Sequence, residues 1–445
     1  MPLTAQSFSP MQFFLSEAER SLQDSAGSSP SWRLHLRRDA LARFHSLNLP
    51  GRTDEEWRFT PISSLLGAIP PIAELNSPSM AIEEIEPYLI PNFASTLLVF
   101  VNGMFHRELS TINPAEDGIF IGSIADALHC CPQLLAPHLG QHALSSKQPF
   151  CALNTAFLED GAFIHVSPGK EPGIPIHVLY YTSGSFTTFP RLLAVAEKGS
   201  SLTVIESYGG REGTAYFTNA VTEIVAETDS QVVHYKVNRE SSQANHIAST
   251  QFDLGRDART TSHSISMGGK LTRNDIGALL NGEKGRCVLN GLYMGKDDQL
   301  VDNHTSIIHA MPHCESHELY KGILTDRAHG VFNGKIFVKQ DAQKTDAKQT
   351  NQTLLLSREA QINTKPQLEI FADDVKCTHG ATVGQLSDES LFYLRSRGIP
   401  IQEARMMLVR AFALDIIERI PLDSLREALD YQLLGTLPDP ESKPG

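Results

Sequence analysis

Six short stretches decide the fold of this chain: Glu197-Lys-Gly-Ser-Ser-Leu-Thr-Val204, Glu227-Thr-Asp-Ser-Gln-Val-Val-His234, Gly255-Arg-Asp-Ala-Arg-Thr-Thr-Ser262, Glu283-Lys-Gly-Arg-Cys-Val-Leu-Asn290, Thr325-Asp-Arg-Ala-His-Gly-Val-Phe332 and Ser357-Arg-Glu-Ala-Gln-Ile-Asn-Thr364. In each, a charged or polar turn leads through a small residue into a strand-like run. The central positions Gly199, Asp229, Asp257, Gly285, Arg327 and Glu359 lie 30, 28, 28, 42 and 32 residues apart by subtraction. From about Ala162 onward, runs rich in Val, Ile, Thr, Phe and Tyr alternate with Gly, Asp, Asn and Ser, and helical periodicity is missing. Spacing of about 30 residues with one insertion predicts a stacked β-solenoid, each coil burying its face against the next. A β-sandwich would show strands about 8–12 residues apart, ended by hairpin signals.

Helical patterns flank this region. Leu41, Phe44 and Leu47 recur at helical spacing within Trp32 to Leu47, and Pro50-Gly51 stops them. Thr53 and Glu56 have capping-box spacing, which predicts a helix start ahead of Trp57. Leu97 to Gly103 reads as a strand, and helical signals return from Ile124 to Leu139. Near the other end, Ser387-Asp388-Glu389 opens a helix that Gly398 ends in the left-handed conformation. Pro400 starts the next, with an apolar stripe of Ala404, Met407, Leu408, Ala411 and Leu414. Ser424 and Glu427 form a capping box for a third, and the stretch 438–445 reads as a loose tail. The resulting domains are 1–160, mainly helical; 161–385, the β-solenoid core; and 386–445, helical. Terminal helices of this kind are expected to cap the solenoid, whose bare ends would expose strand edges.

Of the 445 residues 41% are hydrophobic and 20% charged, an ordinary globular composition. A net charge of -13 argues against nucleic-acid binding, which needs clustered Lys and Arg to replace counterions. No apolar run approaches the roughly 20 residues that span a bilayer. The N-terminal residues lack the basic and apolar regions of an export signal. Six scattered cysteines without a C-x-x-C pair fit a reducing compartment, and the expected location is the cytoplasm.

The densest chemistry lies in the segment Leu368 to Ile399. Cys377 and His379 are two residues apart in a strand-like run, so they project from one face. A thiol and an imidazole side by side suit metal or sulfur chemistry. The blander alternative is a buried small residue beside a hydrogen-bonded core histidine. Two ligands do not complete a metal site, so the rest would come from elsewhere in the fold or from a partner. His304, His309, His313, Cys314 and His317 look like a zinc pattern, but Pro312 and strand texture spoil the helical spacing such ligands need. Asp373-Asp374 is expected in a turn. Arg33, Arg37 and Arg38 are expected on a solvated helix face. Walker, dinucleotide-binding, G-x-S-x-G and H-E-x-x-H motifs are missing, so the expectation is a protein that is not an enzyme.

Ala372-Asp-Asp-Val-Lys-Cys-Thr-His-Gly-Ala-Thr-Val-Gly384, followed by Leu391 to Ile399, closely resembles the SufB/SufD family of the SUF iron–sulfur cluster assembly machinery. Asn290 to His309, Leu319 to Ser357 and Glu55 to Leu66 match as well. His379-Gly380-Ala381-Thr382 resembles the SufD form, where SufB-like chains carry a glutamate followed by A-T-T. The resemblance implies a right-handed parallel β-helix between N-terminal and C-terminal helical domains. It implies a non-enzymatic scaffold pairing with a SufB-like subunit and docking the SufC ATPase, whose ATP-driven movement opens the SufB–SufD interface. The SufC surface would lie around Phe392, Tyr393, Arg395, Arg397 and Gly398. Cys377 and His379 would sit in the SufB–SufD interface region as candidate metal ligands. The lone chain would hold no stable cofactor, and a transient iron–sulfur cluster would form at the interface with SufB; for the chain in isolation a homodimer is a candidate state that the sequence does not decide. The alternative is a β-helix enzyme acting on carbohydrate or acyl substrates, which would display carboxylates or a histidine along one solenoid face.

Overall fold

The computed structural model describes residues 9–27, 29–75, 79–113, 117–143 and 148–436. The stretch 438–445 and the first eight residues lie outside this set. Inward-facing side chains recur at every second position of each strand, and the chain meets that demand by coiling into a parallel β-solenoid with two ten-stranded sheets. Successive strands alternate between the sheets. One sheet ends at Lys376–Gly384 and the other at Gln361–Ile370. Neighbouring coils stack without register slip: Asn245–Leu254, Leu271–Leu280, Leu300–His309, His329–Val338 and Gln361–Ile370 pair over ten residues each. The lumen is the largest core, running from Leu98 to Ala360.

The corners explain the repeat and correct its bookkeeping. Gly199, Asp229, Asp257, Lys284, His313 and Lys344 all have positive φ, and by subtraction they lie 30, 28, 27, 29 and 31 residues apart. Each corner donates its N–H to the coil that follows: Gly199 to Thr228, Asp229 to Arg256, Asp257 to Glu283, Lys284 to Pro312, His313 to Gln343 and Lys344 to Asp374. Asp297 and Asp326 turn the opposite edge. The gap of 42 residues is therefore not an insertion. Counting passed from Gly285 on one edge to Arg327 on the other, skipping the corner at His313, whose residue type hid it.

The coil nearest the N-terminus is closed. Thr96–Val101 joins the first sheet in parallel with Ile176–Thr182, then doubles back through Asn102-Gly103 to pair antiparallel with Met104–Phe105. In the second sheet, Ile119–Ser123 closes antiparallel on Ala162–Val166. Outside that sheet, Pro10–Asp24, Ser31–Leu47 and Pro149–Ala156 pack through Phe14, Phe44 and Phe150 against Phe217, Ile247 and Leu271. The helices Ile401–Ile417 and Asp423–Thr436 lie along the flank of the first sheet. Val409, Ala413, Ile416 and Ile417 bury against Tyr235, Ile265, Leu292 and Ile323. These helices do not cap the solenoid.

Several expectations are overturned. Arg33 and Arg37 are buried rather than solvated, and only Arg38 is exposed. Arg37 pairs with Glu159 at 2.5 Å, donates to Ala156 O, and ties the second helix to the start of the solenoid. Thr53 and Glu56 form no capping box: Glu55–Trp57 is one 3₁₀ turn, and the Asp54 carboxylate accepts from Gly51 N. The apolar stripe on Ile401–Ile417 is offset. Met407 and Ala411 are exposed, because the sheet receives Val409, Ala413, Ile416 and Ile417 instead. Asp423 begins the last helix, and the Ser424 hydroxyl donates to Asn92 O rather than capping it.

Candidate functional site: the open end of the solenoid

Among the described residues nothing covers the far end of the solenoid. Beyond Cys377 every residue of the last strand is exposed, and most of Gln361–Ile370 is only half-buried. Phe371 is 59% exposed and Val383 46%, an apolar rim at an end where the other sheet strands find a further coil. Lys376 N donates to Thr345 O. Residues of a parallel strand turn alternately to the two neighbours, so Cys377, His379, Ala381 and Val383 point their main-chain groups to the open side. In the companion strand Gln361 N bonds Ala328 O, which turns Pro366 outward, where its missing N–H breaks no ladder.

Cys377 and His379 do share a face, and register shows which one. Cys377 pairs with Ala347 and His379 with Gln349, both buried side chains that face the lumen. Cys377 is half-buried beside Ile336, Val338 and Ala347. Burial pushes its thiol up from the usual range, with Asp346 adding to the shift. His379 is exposed, at the mouth. Among the described residues no group of three or more His, Cys, Asp or Glu side chains could hold a metal ion. The pair offers a thiol and an imidazole, and among the described residues no third donor joins them.

Sequence reasoning missed what stands behind His379. Glu318, Gln349 and His379 occupy one register column on successive strands. Gln349 Nε2 donates to Glu318 Oε2 at 2.9 Å, and burial pushes the Glu318 carboxyl up to about 7. Glu318 Oε1 and Gln349 Oε1 are buried without a hydrogen-bond partner. Further in, the lumen holds Glu206 bonded to Thr222, and Lys236 bonded to Asn274 at 2.8 Å. Pairing register was the signal needed, and it emerges only when the coil length is known.

The second histidine cluster disperses. His313 is a corner, and buried His309 bonds Ser316 Oγ inside the lumen. Cys314 is buried and donates to Gly282 O, while His304 faces the N-terminal segment through Glu56. Asp374 sits at a corner, pairing with Lys344, as expected for a turn.

Phe392, Tyr393, Arg395, Arg397 and Gly398 are all exposed. The helix Asp388–Ser396 is capped by Ser387 and ends at Gly398 with φ +85°. Only Leu391 is buried, Phe392 is 74% exposed, and the Arg397 guanidinium lies over the Tyr393 ring.

Two family matches tile the chain. Residues 16–178 match the SufBD protein N-terminal region, and residues 179–412 match the SufBD core domain of SUF system FeS cluster assembly. The chain belongs to the SufBD family. A SufBD family protein of iron–sulfur cluster assembly from Synechocystis is 36% identical, with 91% of each chain covered. The iron–sulfur cluster assembly protein SufD of Escherichia coli is 34% identical over 92% of this chain and 93% of its own. SufD of Bacillus subtilis is 26% identical, over 90% and 93%. SufBD membership places this chain in the SUF system. Among the described residues no helix is long and apolar enough to cross a membrane.

Proposed function

We propose that this chain is a non-catalytic scaffold subunit whose open solenoid end pairs with the matching end of a SufB-like subunit. The observation that carries the reading is an uncovered terminal coil whose mouth holds Cys377 and His379. A parallel sheet normally buries both faces and protects its edges, and an exposed edge with an apolar rim is a template for strand addition. Pro366 removes one donor from the Gln361–Ile370 edge, so Lys376–Gly384 is the better template. Pairing there would bring a partner's ligands to Cys377 and His379, completing a donor set that the described residues do not supply. Iron and sulfide are then substrates gathered at the joint rather than a resident cofactor. The exposed patch of Phe392, Tyr393, Arg395, Arg397 and Gly398 suits docking of the SufC ATPase, with aromatic and Arg anchors of the kind that dominate interfaces.

Co-expression with SufB-like and SufC partners, followed by size-exclusion chromatography with iron and sulfide analysis, tests the reading. The expected result is a co-eluting complex that gains cluster while the lone chain stays colourless. In that complex His379→Ala should assemble normally and lose cluster formation. A lone chain that elutes apart from both partners would sink the scaffold reading, and full cluster yield in the variant would remove His379 from it.

A further inference from the structure

Cys130 and Cys131 are adjacent in sequence and their sulfurs lie 3.4 Å apart. Adjacent helical residues diverge by about 100°, which normally separates their side chains. Here the helix Ile124–Cys130 ends, Pro132 begins the next short helix, and the residue before a proline is pushed out of helical geometry. Cys131 accordingly has φ -148° and ψ 52°, which brings its thiol alongside that of Cys130. The two differ sharply in environment. Cys130 is exposed, whereas Cys131 is 8% exposed and packs with Ile124, Ala127 and Leu135 against Phe163. Burial, with Cys130 adding to it, pushes the Cys131 thiol up to about 12. The other described cysteines stand apart: Cys151, Cys287 and Cys314 are buried and Cys377 lies at the solenoid mouth.

We propose that Cys130–Cys131 is a vicinal dithiol that hydroperoxides oxidise to a disulfide, with Cys130 as the attacking thiol and Cys131 as the resolving one. The Cys130 thiolate attacks the O–O bond, one oxygen joins sulfur as a sulfenic acid, and hydroxide leaves. Cys131 sulfur then displaces the sulfenic OH. The S–S bond forms, the S–O bond breaks, and the Cys131 proton departs with that oxygen as water. Two thiols give up two hydrogens in all; hydrogen peroxide becomes two waters, and an organic hydroperoxide becomes its alcohol and one water. Neighbouring Cα atoms are about 3.8 Å apart, short of the roughly 4.4–6.8 Å that disulfides prefer, so the ring is strained and thiols reopen it readily. The joint between the two short helices thus becomes a reversible oxidation site, remote in sequence from the solenoid mouth.

The test is hydrogen peroxide treatment of the full-length chain, read by thiol titration, intact mass and peptide mapping. The expected product is monomeric, has lost both thiols as an internal link between residues 130 and 131, and regains them with dithiothreitol. Cys131→Ser should change the product to a sulfenic acid at Cys130 that dimedone traps, and Cys130→Ser should leave Cys131 reduced at the same dose. Sulfinic acid at Cys130 of the unaltered chain, or a Cys130-linked dimer, would overturn the proposal. The conservative serine replacements keep side-chain size, and circular dichroism of each variant separates misfolding from lost chemistry.

Discussion

His304 shows how one side chain locks the N-terminal segment to the solenoid. It lies 3.0 Å from Asp302 and 3.2 Å from Glu56, while Arg273 bonds Asp302 and Asp275 and stacks 3.8 Å over Trp57. Burial opposes its charge, but Asp302 and Glu56 outweigh burial and raise its pKa from 6.5 to about 9. A raised histidine stabilises the fold fully below its unfolded value and loses that contribution as pH climbs through the folded one. Urea titrations of the unaltered chain minus those of His304→Gln should therefore show a stabilising difference at pH 6 that disappears by pH 10; a flat difference would mean that folding does not raise the imidazole pKa. Glu318 has the opposite sense. Its folded pKa of about 7 exceeds 4.5, so the native state suffers as pH rises between these values and the penalty is complete above 7. Glu318→Gln should stabilise the chain by about 3 kcal/mol at pH 8 and leave it unchanged at pH 4. An equal effect at both pH values would point to packing instead. Neither behaviour was legible beforehand. His304 looked like one member of a zinc pattern, and Arg37 like a surface charge, because a partner more than a hundred residues away is invisible to local spacing.

Helices were legible as elements, and their faces were not. The Ser387 cap and the Gly398 stop follow from local backbone chemistry, and both are present. The buried stripe of Ile401–Ile417 is decided by the sheet beneath it, which selects Val409 and Ala413 over Met407 and Ala411. Exposed apolar residues on these helices accordingly lie off the sheet, and Phe392 and Tyr393 are the ones proposed above for docking. Replacing Phe392 and Arg395 together with alanine should weaken SufC association about tenfold or more, a loss of at least about 1.4 kcal/mol, with the melting temperature unmoved. Binding measured by calorimetry at unchanged affinity would show that the docking surface lies elsewhere, for example nearer exposed Met407 or Tyr431.

At the scale of the whole molecule, the two ends of the solenoid differ in kind. One is closed by antiparallel strands and the other ends, among the described residues, on an unpaired coil, so the pairing proposed above would have a direction built into the chain. Ala381 directs its N–H away from the coil beneath it, and proline there deletes a donor from the free edge alone. Ala381→Pro should keep circular dichroism and melting temperature while abolishing co-elution with the SufB-like partner. Retained co-elution would mean that the edge strands do not carry the joint. The sequence by itself determined the solenoid, the flanking helices, and the shared face of Cys377 and His379, because alternation, coil length and helix caps are local or periodic properties. Only the tertiary structure decided which end is bare, which helix faces are buried, and that Glu318 and Gln349 stand behind His379. Those depend on register between strands about thirty residues apart, a relation that no single stretch of the chain contains.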